Sequence, residues 1–85
     1  MLYKKLTMNN SEGLNTSNAQ TLVKTASAFT SQIHIEKGNK KVNAKSIMGI
    51  LSLGIKNKDS LLVFIDGNDE DNAMMAIEDL FEWGF

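Results

Sequence analysis

Gln32-Ile33-His34-Ile35-Glu36-Lys37-Gly38-Asn39-Lys40-Lys41-Val42-Asn43 is the stretch on which the fold turns. Strict alternation over residues 32–36 predicts a half-buried strand, with Ile33 and Ile35 facing inward and His34 facing out. Gly38-Asn39 suits a two-residue hairpin turn with positive φ, and Lys41-Val42-Asn43 begins the return strand. Helical periodicity lies on both sides of this hairpin. Upstream, Ala19, Leu22, Val23, Ala26 and Phe29 recur at three- and four-residue spacings, which predicts a helix from Thr16 to Phe29 capped by Asn15 or Thr16. Downstream, Ile47 to Leu53 form a short helix that Ser46 precedes and Gly54 ends.

Two strands complete the pattern. Leu2 to Met8 is the first, closed by the turn-forming cluster Asn9-Asn10-Ser11-Glu12-Gly13. Ser60 to Asp66 is the last, followed by a helix opened by Asn68 or Asp69 with a stripe of Ala73, Ile77, Leu80 and Phe81. The order is therefore β-α-β-β-α-β-α, an α+β chain read as one domain over residues 1–85.

Composition narrows the function classes. With 85 residues, no cysteine, no proline and 42% hydrophobic residues, the chain has room for one modest core and not for a cleft between two lobes. No disulfide or thiolate nucleophile is available, and the single histidine cannot build a zinc site alone. No apolar run reaches the ~18 residues of a membrane span, and no export signal is read at Met1-Leu2-Tyr3-Lys4-Lys5, which fits the cytoplasm. Residues 1–58 hold nine lysines and two glutamates, a formal +7, whereas residues 59–85 hold eight acids and no base. This asymmetry reads as two solvated faces attracting one another; without arginine or interleaved aromatics it does not describe a nucleic-acid surface. Asp69, Glu70 and Asp71 sit where the last helix's dipole favours them, and they lack the spacing of a Ca²⁺ loop. No metal site and no cofactor is expected.

The short helix carries the most information about function. Five of the seven residues Ile47 to Leu53 are apolar and cover more than one stripe. Ile47, Met48 and Leu51 either remain exposed as a partner-binding patch or lie under a second element, and periodicity does not separate these cases. Ser46 is an N-cap by position. A phosphate on it would meet unsatisfied N–H groups and add about −1.5 to −2 charges beside the patch, with Lys45, Lys40 and Lys41 close in sequence.

Lys45-Ser46-Ile47-Met48-Gly49-Ile50-Leu51-Ser52-Leu53-Gly54 resembles the regulatory-serine signature of the HPr family, small phosphocarriers of the bacterial sugar phosphotransferase system. Val42-Asn43-Ala44, Thr25-Ala26-Ser27 and Gly67-Asn68-Asp69-Glu70 also stand at the family's spacings. The resemblance implies an open-faced β-sandwich, with a four-stranded antiparallel sheet carrying three helices on one face. It also implies a phosphorylated histidine in the motif Gly, aliphatic, His, Ala, Arg, Pro, Ala. Here the stretch reads Gly13-Leu14-Asn15-Thr16-Ser17-Asn18-Ala19. Asn15 replaces the histidine, Ser17 the arginine and Asn18 the proline, and an amide nitrogen is not a usable nucleophile at neutral pH. His34, on a strand, does not substitute for it.

The chain thus looks like a histidine-lacking branch of the family that serves carbon catabolite repression. By resemblance, an HPr kinase/phosphorylase would phosphorylate Ser46, and the product would dock on a LacI-type repressor as its corepressor. The implied docking residues are Thr16, Ser17 and Gln20 from the first helix, with Lys45, Ile47, Met48, Leu51 and Gly54 around the second. Ser17 can supply neither the charge nor the planar fork of the family's arginine. Two other readings stand beside this one: a degenerate phosphocarrier of the phosphotransferase system, and a constitutive interaction module in which Ser46 is only a cap.

Overall fold

The computed structural model describes residues 1–85. Its elements are β1 (Leu2–Thr7), α1 (Thr16–Ser27), β2 (Gln32–Lys37), β3 (Lys40–Asn43), α2 (Ile47–Ser52), β4 (Ser60–Asp66) and α3 (Glu70–Asp79), the last continued by a π-helical turn over Leu80–Gly84. The strands form one antiparallel sheet in the order β1-β4-β2-β3. Alternation along β2 and β4 turns Ile33, Ile35, Leu61, Val63 and Ile65 to one face, where all are buried. Leu22 and Ala26 of α1, Ile50 of α2 and Ala73 and Ile77 of α3 cover that face, joining a single cluster of 18 buried residues. The other face stays open: Tyr3 stacks on Phe64, their ring centroids 6.0 Å apart, and the Lys41 ammonium lies 4.0 Å from the centre of the Phe64 ring. The expected order and the three-helix, four-strand architecture are both present.

Local differences have physical causes. The hairpin turn has positive φ at Gly38 (63°) and not at Asn39, which is the pattern of a turn with glycine in its first central position. Met8 leaves the first strand and is fully buried. α1 stops at Ser27 rather than Phe29, because the N–H groups of Ala28 and Phe29 fold back to Thr25 and Ala26 and tighten the last turn. Lys41 lies on the open face, away from the helices, contrary to its expected place beside Ser46. The charge asymmetry is used internally: Lys4 pairs with Glu78, and Lys37 lies 2.8 Å from Asp59.

Asp69 departs furthest from expectation. It stands at the N-cap of α3 but makes no side-chain bond to that helix. Its carboxylate instead accepts N–H bonds from Thr30 (2.9 Å) and Ser31 (3.0 Å) and a hydroxyl bond from each. The hydroxyl of Ser31 is the main cause, with the Thr30 N–H next, of a carboxyl held down at about 2 from an ordinary 3.8. A depressed carboxylate stabilises the fold above its unfolded value and ceases to do so as pH falls through its folded value. Thermal unfolding followed by circular dichroism should therefore show a melting temperature that drops between about pH 4 and pH 2. Asp69→Asn should start lower at neutral pH and lose less over that interval.

Candidate functional site

The start of α1 is built by backbone geometry. Gly13 has φ +62°, and a Cβ there would come within 2.6 Å of the Ile55 carbonyl oxygen and 3.0 Å of Lys56 Cα. Only glycine brings this turn so close, and the approach lets the next N–H, that of Leu14, donate to the same Ile55 oxygen at 2.9 Å. The beginning of α1 is thereby fastened to the segment that follows α2. At the other end, the Lys45 ammonium donates to the Phe29 carbonyl at 2.7 Å, joining the exit of α1 to the entry of α2. The two helices lie side by side in opposite senses.

Each expected residue can be placed from these two links. Asn15 is exposed and is the N-cap of α1; its Oδ1 accepts the Asn18 N–H at 2.8 Å. Asn18 returns a bond from Nδ2 to the Gly13 carbonyl at 2.7 Å. Both amides serve to close the loop onto the helix. Thr16, Ser17 and Gln20 are exposed on the first turns. They lie toward the end of α2, where Leu51 and Gly54 are also exposed, and Gly54 takes the left-handed φ of 59° expected of it.

Ser46 stands at the opposite end of α2, exposed. Six residues of helix span about 9 Å, so Ser46 and Asn15 are separated by at least roughly that length and do not form one chemical centre. Ser46 Oγ accepts the Gly49 N–H at 3.2 Å, the capping bond expected of it. A Cβ on Gly49 would stand 3.4 Å from that oxygen and 3.2 Å from Val42 Cβ, so the missing side chain keeps the approach to Ser46 open while α2 packs on β3. Gly49 was not singled out from the sequence; its place three residues after a serine cap is the signal that would have found it.

The apolar patch is narrower than expected. Met48 is 74% exposed and Leu51 36%, whereas Ile47 is half-buried and packs against the core with Val42. Ile50 is fully buried beneath them. Lys45 is likewise not a free cation, since its ammonium is engaged at Phe29. His34 is half-buried in β2, paired with Phe64 and Asn43, and stands on a strand, not at a helix N-terminus. The surface around α1 and α2 therefore offers Met48 and Leu51 among polar residues, with Lys24 exposed in the last turn of α1, and suits contact with another protein.

Residues 2–82 match the family described as PTS-HPr, the PTS HPr component phosphorylation site. The HPr-like protein Crh of Halalkalibacterium halodurans is 44% identical over 77 residues, covering 91% of this chain and 92% of that protein. The phosphocarrier protein HPr of Xylella fastidiosa is 42% identical over 82 residues, covering 96% and 92%. Among solved structures, the crystal structure of HPr-C-His from Thermoanaerobacter tengcongensis superposes with a TM-score of 0.96 at 46% identity, covering 100% of this chain and 96% of that one.

Loss of the Ser46 cap in Ser46→Ala should cost about 1 kcal/mol in denaturant unfolding, and Asn15→Ala a similar amount. Gly13→Ala should cost more than about 1 kcal/mol, because it combines a left-handed φ with a clash against backbone.

Proposed function

The chain belongs to the HPr family, whose members are phosphocarriers of the phosphotransferase system, and from that membership we propose a regulatory rather than phosphocarrying role for it. Ser46 is the switch. Its exposed hydroxyl, beside the exposed Met48 and Leu51 and unobstructed by a side chain at position 49, is the observation that supports this role. A kinase using ATP would direct Ser46 Oγ at the γ-phosphorus. The new O–P bond forms as the bond to ADP breaks, and the hydroxyl proton leaves to a base of the kinase.

The phosphate would then lie over the first N–H groups of α2, where one is already turned toward Oγ. It would add negative charge at the edge of that surface, changing what the surface attracts without unfolding it. The kinase is proposed to be an HPr kinase/phosphorylase and the target of the phosphorylated form a LacI-type repressor, in carbon catabolite repression and in the cytoplasm. The contact face comprises Thr16, Ser17 and Gln20 with Met48, Leu51, Gly54 and the exposed part of Ile47. Lys45 contributes by holding α2 against Phe29, and by contact only if its ammonium is released. Ser17 brings no positive charge to this face, so recognition rests more heavily on Met48 and Leu51.

Histidine-type phosphotransfer is not proposed. Asn15 occupies the family's histidine position, its amide is not nucleophilic at neutral pH, and its oxygen is committed to the helix cap. No helix is long and apolar enough to cross a membrane.

Intact-mass analysis after incubation with HPr kinase/phosphorylase and ATP should show one phosphate, mapped to Ser46 and absent in Ser46→Ala. Phosphoenolpyruvate with enzyme I should transfer none. Absence of label from ATP, with a control HPr labelled in the same tube, overturns the switch; label from phosphoenolpyruvate overturns the loss of phosphotransfer. Gly49→Ala should lower the phosphorylation rate several-fold while the protein remains folded by circular dichroism.

A further inference from the structure

The open side of α3 and of the π-helical turn after it holds two strongly exposed large apolar residues: Met75 is 62% and Trp83 79% exposed. They are eight residues apart. Along an ordinary α-helix those positions would diverge by about 80° around the axis. The π-helical turn over Leu80–Gly84 advances each residue less, and so brings Trp83 back toward the line of Met75. The same turn keeps Phe81 buried and sets Phe85 edge-on against it, ring centroids 5.2 Å apart, so the core holds the turn in place. Asp79 lies between Met75 and Trp83 on this line, four residues from each. Asp71 and Glu82 border it, and all three carboxylates are exposed and make no ion pair. No basic residue follows Lys58, and Lys4, which reaches α3 from β1, is paired with Glu78.

An apolar residue, a carboxylate and an aromatic residue at successive turns form a pattern with a definite complement. We propose that this face of α3 docks a helical segment of a partner protein that carries a lysine or arginine between two apolar side chains on one face. The cation pairs with Asp79, and the apolar residues cover Met75 and Trp83. Methionine and tryptophan suit such an anchor pair, one by its adaptable shape and the other by its large rigid area. The acidic border attracts a cationic helix and repels anionic surfaces. This surface is separate from the one around Ser46 and does not depend on phosphorylation.

Trp83 is the chain's single tryptophan and reports on its own surface. The probe is an 18-residue lysine/leucine amphipathic helix bearing leucine, lysine and leucine at i, i+4 and i+8 on one face, compared with a scrambled peptide of the same composition. The designed peptide should bind one to one by calorimetry and shift Trp83 emission to the blue. Met75→Ser and Asp79→Asn should each weaken it at least tenfold, with circular dichroism confirming their folds. Glu12→Gln, which removes the same charge from a distant loop, should change affinity less than twofold. The proposal fails if neither peptide binds or if the scrambled peptide binds equally well. It also fails if Met75→Ser binds as the parent does, if Glu12→Gln weakens binding as much as Asp79→Asn, or if anionic phospholipid vesicles shift the emission and the peptide does not.

Discussion

The carboxylate of Asp69 joins three parts of the chain that have no sequence proximity. It accepts four hydrogen bonds from Thr30 and Ser31, at the exit of α1 and the entry to β2, while its own carbonyl starts α3 by accepting the Ala73 N–H at 2.9 Å. One residue thus ties the segment between α1 and β2 to the start of α3, by its side chain on one side and its backbone on the other. An ionised carboxylate with this many donors binds them more strongly than a neutral group would, which is why its proton affinity is so low. With β2 and β4 held together at this corner, Ile33 and Ile65 meet in register and the helical side of the sheet closes over them.

Everything proposed about the surface follows from how α1 and α2 rest on that sheet. Ile50 is buried and Ile47 half-buried, so the apolar side chains that α2 leaves exposed are Met48 and Leu51, beside its capping serine. The links from Leu14 to Ile55 and from Lys45 to Phe29 keep α2 beside α1. A short helix has little stability of its own, so its geometry is supplied by tertiary contacts. A charge added at Ser46 therefore acts on a scaffold that is already held and changes the surface more than the fold.

The loop that leads into α1 is closed by amide side chains. Asn15 and Asn18 form a cap and a return bond to Gly13, so both amides are committed to closing the loop onto the helix. Polar residues of this kind stabilise the start of a helix without providing a nucleophile. The close approach of this loop to Ile55 is made by Gly13, not by the side chain at position 15.

Alternation in Gln32–Glu36, the β-type runs Leu2–Met8 and Ser60–Asp66, the helical spacings from Ala19 to Ala26 and from Ala73 to Phe81 and the glycines at 38 and 54 placed the strands and helices in order, because side-chain periodicity and turn sterics are local properties. Ser46 and Asn15 as helix caps were legible for the same reason. The burial of Ile47, the engagement of Lys45 and the placement of Lys41 on the open face depend on which surfaces meet, and only the folded chain decides that. The anchoring of Thr30 and Ser31 escaped the sequence because their partner, Asp69, lies 39 residues away from Thr30. The line of Met75, Asp79 and Trp83 escaped it because an α-helical count separates Met75 from Trp83, and only the π turn, imposed where Phe81 and Phe85 pack together, brings them back toward one face.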